Sequence, residues 1–175
     1  MIELSTNISN YEQLTSTDIS SYDAIYLGDI TCPLYPNNFC SNLEDLEKAV
    51  DYLKKLDKKC YLRLYAVPEN KDMLWMKAII LKAIDLKIDA FEVHNLGVLM
   101  ILKESNNTIP LHFGVFGNIY TIETIKVLQD YGITRVQPSP ELSIEEAIFI
   151  KDEPPIETTF AVHGKIPLVA SETCF

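Results

Sequence analysis

A chain of 175 residues with 47% hydrophobic and 23% charged residues can bury a sizeable core, which excludes disorder and predicts one domain over residues 1–175. Its net charge of −10 would repel phosphate backbones and anionic lipids, so we expect no nucleic-acid partner, although a small anionic ligand stays open. No apolar run reaches the ~20 residues that span a bilayer, and the N-terminus lacks a secretory signal, so we expect a cytoplasmic location without a membrane span.

Short apolar runs alternate with longer amphipathic runs from Asp23 onward, which is typical of strand–helix units around a parallel sheet. Seven strands are predicted, over Glu3–Asn7, Ala24–Gly28, Cys60–Ala66, Ala90–Val93, Leu111–Val115, Arg135–Pro138 and Glu157–Val162. The predicted fold is therefore α/β, a TIM-barrel-like repeat that is incomplete relative to a full (β/α)8 barrel. Such a sheet either closes on itself as a smaller barrel or leaves edges that another chain covers.

Five helices are predicted between these strands. The capping-box spacing of Ser41 with Glu44, and of Ser143 with Glu146, predicts two helix starts. The helix over 121–131 is predicted to end at a glycine, and two further helices are predicted over 70–87 and 96–103. Trp75 is interpreted as a packing residue, with a platform for a ligand as the alternative.

Candidate functional residues lie in the loops after the carboxyl ends of the strands, because helices cover the remaining surface of such a sheet. Cys32 and Cys174 fall in the second and the last of these loops, and the sheet could bring them together. Cys32 is either a thiolate presented to a metal or substrate or a small buried residue, and Cys40 is either a further ligand or packing. Cys60 is predicted to belong to the core.

His94 and His163 each follow a predicted strand, where a histidine serves catalysis, ligand binding or the structure of the sheet rim. Either one could be the base of a nucleophile–base pair with Cys32, whereas His112, inside a strand, is predicted to be structural. The short cysteine spacings of many iron–sulfur sites and the paired spacing of zinc sites are both missing. These patterns leave the catalytic residues open.

Four segments together resemble the collagenase-like peptidase family, which is the unassigned peptidase family thirty-two. They are Asp23–Gly28, Glu92–Gly97, Pro140–Ser143 and Phe160–Leu168. Within the family the nearest likeness is to the UbiV-type proteins of oxygen-independent ubiquinone biosynthesis. The resemblance implies an iron–sulfur protein that assists hydroxylation of an aromatic ring without molecular oxygen. The alternatives are a peptidase, as the family's name implies, and a truncated scaffold without chemistry that binds a partner, so whether the chain is an enzyme stays open.

The same resemblance implies that Cys32 and Cys174 ligate a 4Fe–4S cluster, with two further ligands expected beyond the end of this chain. Cys40, Cys60 or a partner chain would then have to complete the cluster, and Cys40 is the better candidate because it lies in the same loop as Cys32. Thr173 replaces an arginine of the family's pattern, and Asn95 replaces a common aspartate, so any role of those side chains does not carry over. The resemblance also implies a related partner subunit in a heterodimer, with a homo-oligomer as the alternative.

Overall fold

The computed structural model describes residues 2–29, 38–39, 41–105, 107–152 and 156–164. Within these ranges one seven-stranded sheet is entirely parallel, and each strand pairs with its neighbours in chain order. The strands are β1 Ser5–Ile8, β2 Ala24–Leu27, β3 Lys59–Arg63, β4 Ala90–Val93, β5 Leu111–Phe113, β6 Ile133–Val136 and β7 Glu157–Thr158. The predicted seven-stranded, TIM-barrel-like α/β fold is confirmed.

The helices follow the strands along the chain. In the described ranges they are α1 Tyr11–Ser16, α2 Leu43–Lys55, α3 Met73–Asp85, α4 Leu96–Glu104, α5 Ile122–Asp130 and α6 Ile144–Asp152. Two short 3-10 turns, Asn70–Asp72 and Val115–Gly117, precede α3 and α5. No helix in this part of the protein has the length and apolar character needed to cross a membrane.

The sheet curls into a half-barrel with the helices on its convex side. Side chains alternate between the two faces of each strand, so Ile25 and Leu27 join the large core under the helices while Tyr26 faces the concave side. β1 pairs only with β2 and β7 only with β6 among the described strands. Closure of the first strand on the seventh, one of the two expectations for the edges, is therefore not found in these ranges.

Two helix starts illustrate how local chemistry sets the element boundaries. The capping box of α6 is confirmed, because the Ser143 N–H donates to Glu146 Oε2 at 2.8 Å and the Glu146 N–H donates to Ser143 Oγ at 3.2 Å. The prediction for α2 was wrong by one residue. Its N-cap is Asn42, whose Oδ1 accepts from the N–H of Asp45 at 3.2 Å, while the Ser41 hydroxyl donates to a backbone carbonyl.

Three further predictions concern packing and a helix end, and the structure confirms each. Cys60 is buried in the helix-covered core, and Trp75 is partly buried against that core. Gly132 follows α5 with a φ of +87°, a left-handed conformation that glycine adopts without steric cost.

Candidate functional site

Polar side chains line the concave face of the half-barrel, opposite the apolar face that packs against the helices. The register of neighbouring strands places Arg63 beside Glu92, Glu92 beside His112, and His112 beside Arg135. Tyr26 and Tyr61 from β2 and β3 extend this row. The concave face therefore carries a continuous row of polar and aromatic groups across five strands.

A strand-end cluster of Arg63, Glu92 and His94 lies at the carboxyl ends of β3 and β4. Glu92 and His94 are two residues apart and so point to the same side of the sheet. Arg63 Nε donates to Glu92 Oε1 at 2.7 Å, and His94 Nε2 lies 3.0 Å from the same oxygen. The side chains of Arg63, Glu92 and His94 are 14%, 5% and 0% exposed, so the cluster is almost fully buried.

The electrostatics of the cluster keep Glu92 ionised. Burial opposes ionisation, but the charge of Arg63 and the contact with His94 outweigh it and lower the pKa of Glu92 to about 2. The arrangement therefore holds a fixed negative charge at the strand ends, and Arg63 neutralises it.

His94 is held from above by the turn that follows β5. The backbone N–H of Phe116 donates to His94 Nδ1 at 3.4 Å, which places the ring proton on Nε2, and the Phe116 ring meets the imidazole edge to face. Nε2 is close to Glu92 but makes no aligned hydrogen bond. Among the described residues it is the one buried side-chain nitrogen or oxygen that lacks a hydrogen-bond partner. A Cβ on Gly114 would overlap the His94 ring and the Glu92 carboxylate, so glycine is required there.

Deeper in the concave face, His112 lies between two tyrosines. The hydroxyl of Tyr26 is 3.1 Å from His112 Nδ1, and the Tyr61 ring contacts the His112 ring edge to face with centroids 4.8 Å apart. Burial and the nearby charge of Arg135 lower the pKa of His112 to about 4, so this histidine is neutral at pH 7. Burial also raises the pKa of Tyr26, whose hydroxyl stays protonated.

A second ionic group lies at the amino ends of the strands. Glu3, just before β1, accepts from Arg135 at 2.6 Å, from Lys59 at 2.6 Å and from the Tyr61 hydroxyl at 2.9 Å. Burial would raise the pKa of Glu3, but these three partners together lower it to about 2. Arg135 also pairs with Glu157 at 2.7 Å. The group ties the chain before β1 to β6 and β7 and so holds the curl of the sheet.

The structure separates the two histidine candidates. His94 belongs to the buried strand-end cluster, whereas His163 is exposed after β7. Cys32, Cys40 and Cys174, the predicted ligands and nucleophile, lie outside the described residues.

Sequence reasoning missed Arg63 and Glu92. The signal for Glu92 was present, because a carboxylate between Phe91 and Val93 in an apolar strand needs a buried partner. The partner was not readable, since Arg63 lies 29 positions earlier and only the sheet register brings the two together.

The described residues do not supply a site for an iron–sulfur cluster. They contain no group of three or more histidine, cysteine or acidic side chains placed to hold a metal ion. Cys60, the cysteine they include, is buried under the helices on the convex side, and burial raises the pKa of its thiol. We therefore derive no reaction step through a cluster from these residues.

A family model described as peptidase family U32 matches residues 9–175 of the chain. The tRNA hydroxylation protein P of Haemophilus influenzae is 31% identical over 153 residues, which cover 87% of this chain and 33% of that protein. The protein of the same name from Escherichia coli is 29% identical, with coverage of 87% and 34%. The 23S rRNA 5-hydroxycytidine C2501 synthase of E. coli is 23% identical over 155 residues, 87% of this chain and 23% of that protein.

The chain thus spans about a third of the length of the first of these relatives. Among solved structures, the U32 peptidase Mk0906 matches with a TM-score of 0.70 and 16% identity, over 90% of this chain and 67% of that one. The putative copper homeostasis protein CutC from Streptococcus agalactiae matches with a TM-score of 0.66 and 18% identity, over 90% and 86%. At these identities the likeness concerns the fold alone.

Proposed function

This chain belongs to peptidase family U32, as its sequence resemblance indicated, and from that premise we propose that it serves ring hydroxylation rather than proteolysis. The relatives named for hydroxylation of tRNA and rRNA align with 87% of the chain, so they include the whole sheet-forming region from β2 to β6. The observation that carries the proposal is the strand-end cluster, in which a fixed carboxylate and an imidazole lie at the edge of a concave face lined by aromatic rings.

The cluster suits the binding of a planar ring. A carboxylate with a pKa of about 2 is a poor proton acceptor at neutral pH, so Glu92 would accept hydrogen bonds from the ring rather than take up its proton. His94 would supply a hydrogen-bond donor through Nε2. The Arg63 guanidinium lies over the Tyr26 ring and the Phe116 ring contacts His94, so aromatic groups border the cluster where a planar ring would bind.

We propose a base of tRNA as the ring, because relatives that are 31% and 29% identical to this chain are named for tRNA hydroxylation. The net charge of −10, from which we expected no nucleic-acid partner, argues against a strong hold on the phosphate backbone. A related partner subunit, or another part of a longer protein, would then make the phosphate contacts in the cytoplasm. A precursor of ubiquinone, the substrate implied by the UbiV likeness, is the alternative.

The cofactor proposal concerns Cys32 and Cys174 as ligands of a 4Fe–4S cluster, completed by Cys40 or by thiolates from outside the chain. Protein purified without oxygen should contain iron and acid-labile sulfide and absorb broadly in the visible range. Cys32→Ser and Cys174→Ser should each lower the iron content, whereas Cys60→Ser should not, because Cys60 is buried on the convex side. Colourless, iron-free wild-type protein would contradict the proposal.

A peptidase function finds less support in the described residues. The imidazole of His94 contacts Glu92 and Phe116, and the Cys60 thiol lies on the opposite face of the sheet, so no described thiol is available to it as a nucleophile. Cleavage of peptides by purified protein that is abolished by His94→Gln would restore this function as the leading one.

The test is mass spectrometry of the nucleosides in tRNA from cells that lack the gene. We expect a nucleoside carrying one extra oxygen to disappear and to return when the intact gene is supplied. If the tRNA is unchanged and a ubiquinone precursor accumulates, the alternative substrate replaces tRNA. If neither changes, the hydroxylation function is wrong.

A further inference from the structure

The N–H of His94 is a buried donor that the folded chain leaves without an aligned acceptor. We propose that His94 Nε2 and Glu92 form a hydroxyl-binding subsite, which holds the oxygen atom of a hydroxylated aromatic ring. This inference rests on the proposed function and names the group that the strand-end cluster recognises, namely the ring hydroxyl of the product.

The unpaired N–H of His94 is costly to the folded chain. A buried N–H without a partner destabilises a protein, and most such groups in folded chains are paired. The His94 side chain is fully buried, and its Nδ1 already accepts from the backbone of Phe116. The remaining Nε2–H is therefore available to an acceptor that the protein itself does not provide.

A hydroxyl is the group whose chemistry fits the His94–Glu92 pair. Nε2 lies 3.0 Å from Glu92 Oε1 without pointing its N–H at that oxygen, so an oxygen atom bound beside the pair, and not between the two atoms, would meet a donor and a negatively charged acceptor together. A hydroxyl accepts from the imidazole and donates to the carboxylate through one oxygen atom, and its bond to the carboxylate is charge-assisted. A carbonyl would only accept from the imidazole, and an amine would only donate to the carboxylate. An anion would be repelled by Glu92.

Access to the subsite depends on the turn that follows β5. Phe116, which covers the His94 ring edge to face, is only partly buried and belongs to the three-residue turn Val115–Gly117. Gly114 leaves no side chain between this turn and the cluster. A ligand would therefore reach His94 by displacing the Phe116 side chain, which belongs to a turn and not to a strand.

The experiment measures binding to the whole 175-residue chain by nuclear magnetic resonance of the His94 imidazole nitrogens. The probes are 5-hydroxycytidine, the nucleoside in the name of the ribosomal RNA relative, and cytidine, which lacks the hydroxyl. We expect 5-hydroxycytidine to shift the Nε2 resonance and to bind about tenfold more tightly than cytidine, as one charge-assisted hydrogen bond predicts. Equal affinities of the wild-type protein for the two nucleosides, or no shift of the Nε2 resonance with either one, would overturn the inference.

Variants separate the subsite from a structural role of the histidine. His94→Leu should abolish the preference for the hydroxylated nucleoside, while His94→Gln, which keeps an N–H donor, should retain part of it. The matched control is His163→Leu, which changes an exposed histidine outside the cluster. Circular dichroism establishes that each variant is folded, and a folded His94→Leu protein with the wild-type preference would contradict the proposal.

The outcomes also separate this inference from the proposed function, because binding requires no turnover. If tRNA hydroxylation does not depend on the gene but the preference is found, the subsite stands and the proposed function falls. If hydroxylation depends on the gene and both nucleosides bind equally, the function stands and the subsite falls.

Discussion

Replacement of Arg63 by methionine tests whether the strand-end cluster is held by a buried charge pair. The chain offers an internal comparison, because two ion pairs of nearly equal length differ in burial. Arg63 and Glu92 are 2.7 Å apart with side chains 14% and 5% exposed, whereas Lys82 and Glu47 are 2.6 Å apart with side chains 31% and 51% exposed. The two ion pairs thus have nearly the same length and differ in how far they are buried.

The expected magnitude follows from the ionisation of Glu92. Lowering its pKa from the usual 4.5 to about 2 corresponds to roughly 3 kcal/mol of stabilisation at neutral pH. Removing one partner of a buried pair costs about 3–5 kcal/mol, which agrees with that figure. We therefore expect Arg63→Met to lower the free energy of unfolding by about 3–5 kcal/mol, and Lys82→Met by less than about 1 kcal/mol.

Urea unfolding at pH 7, followed by circular dichroism, measures both differences. Because the pKa of Glu92 is lowered in the folded state, its stabilising contribution is present above pH 4.5 and is lost as the pH falls toward 2. Arg63→Met should remove most of this contribution, and the double variant Arg63→Met/Glu92→Gln should recover much of the stability because no buried charge remains unpaired. Equal losses for Arg63→Met and Lys82→Met would refute the reasoning.

Three other expectations follow from the same structure. Gly114→Ala should force His94 and Glu92 apart and lower the free energy of unfolding by about 1–3 kcal/mol in urea, and an unchanged His94 imidazole spectrum would contradict this. The pKa of His112 is lowered to about 4 in the folded state, so as the pH falls the unfolded chain takes up this proton at a higher pH than the folded chain does. The free energy of unfolding in urea should therefore fall by about 2 kcal/mol from pH 7 to pH 5, and His112→Gln should remove that fall. Cys60 should resist iodoacetamide until urea unfolds the protein, and peptide mass spectrometry that finds it modified in the native state would contradict its burial.

The fold was predictable because each strand is a separate apolar run in the sequence. Ala90–Val93 is a buried strand bounded by polar residues, and its limits were predicted correctly. Helix α1, Tyr11–Ser16, was missed because it has six residues and buries only Leu14, which leaves no periodic pattern to detect. The start of α2 was displaced by one residue because serine and asparagine are equally good caps and stand side by side at Ser41 and Asn42.

The candidate site was predictable only in part. His94 was identified by its position directly after a strand, but its partners Arg63 and Glu92 lie inside strands, where charge is normally not expected. Their pairing depends on the register between β3 and β4, and the link from Glu3 to Arg135 spans 132 positions. Contacts of this kind arise from the curl of the sheet, which a local pattern of residues does not encode.

If the strand-end cluster serves a hydroxylation reaction, a folded variant of the cluster should fail to restore tRNA hydroxylation in cells that lack the gene. In these cells the double variant Arg63→Met/Glu92→Gln, which leaves no buried charge unpaired, should be present at the wild-type level and leave the hydroxylated nucleoside absent, while Glu47→Gln, which alters the exposed pair, should restore it fully. Full restoration by the double variant would contradict a role of the cluster in hydroxylation.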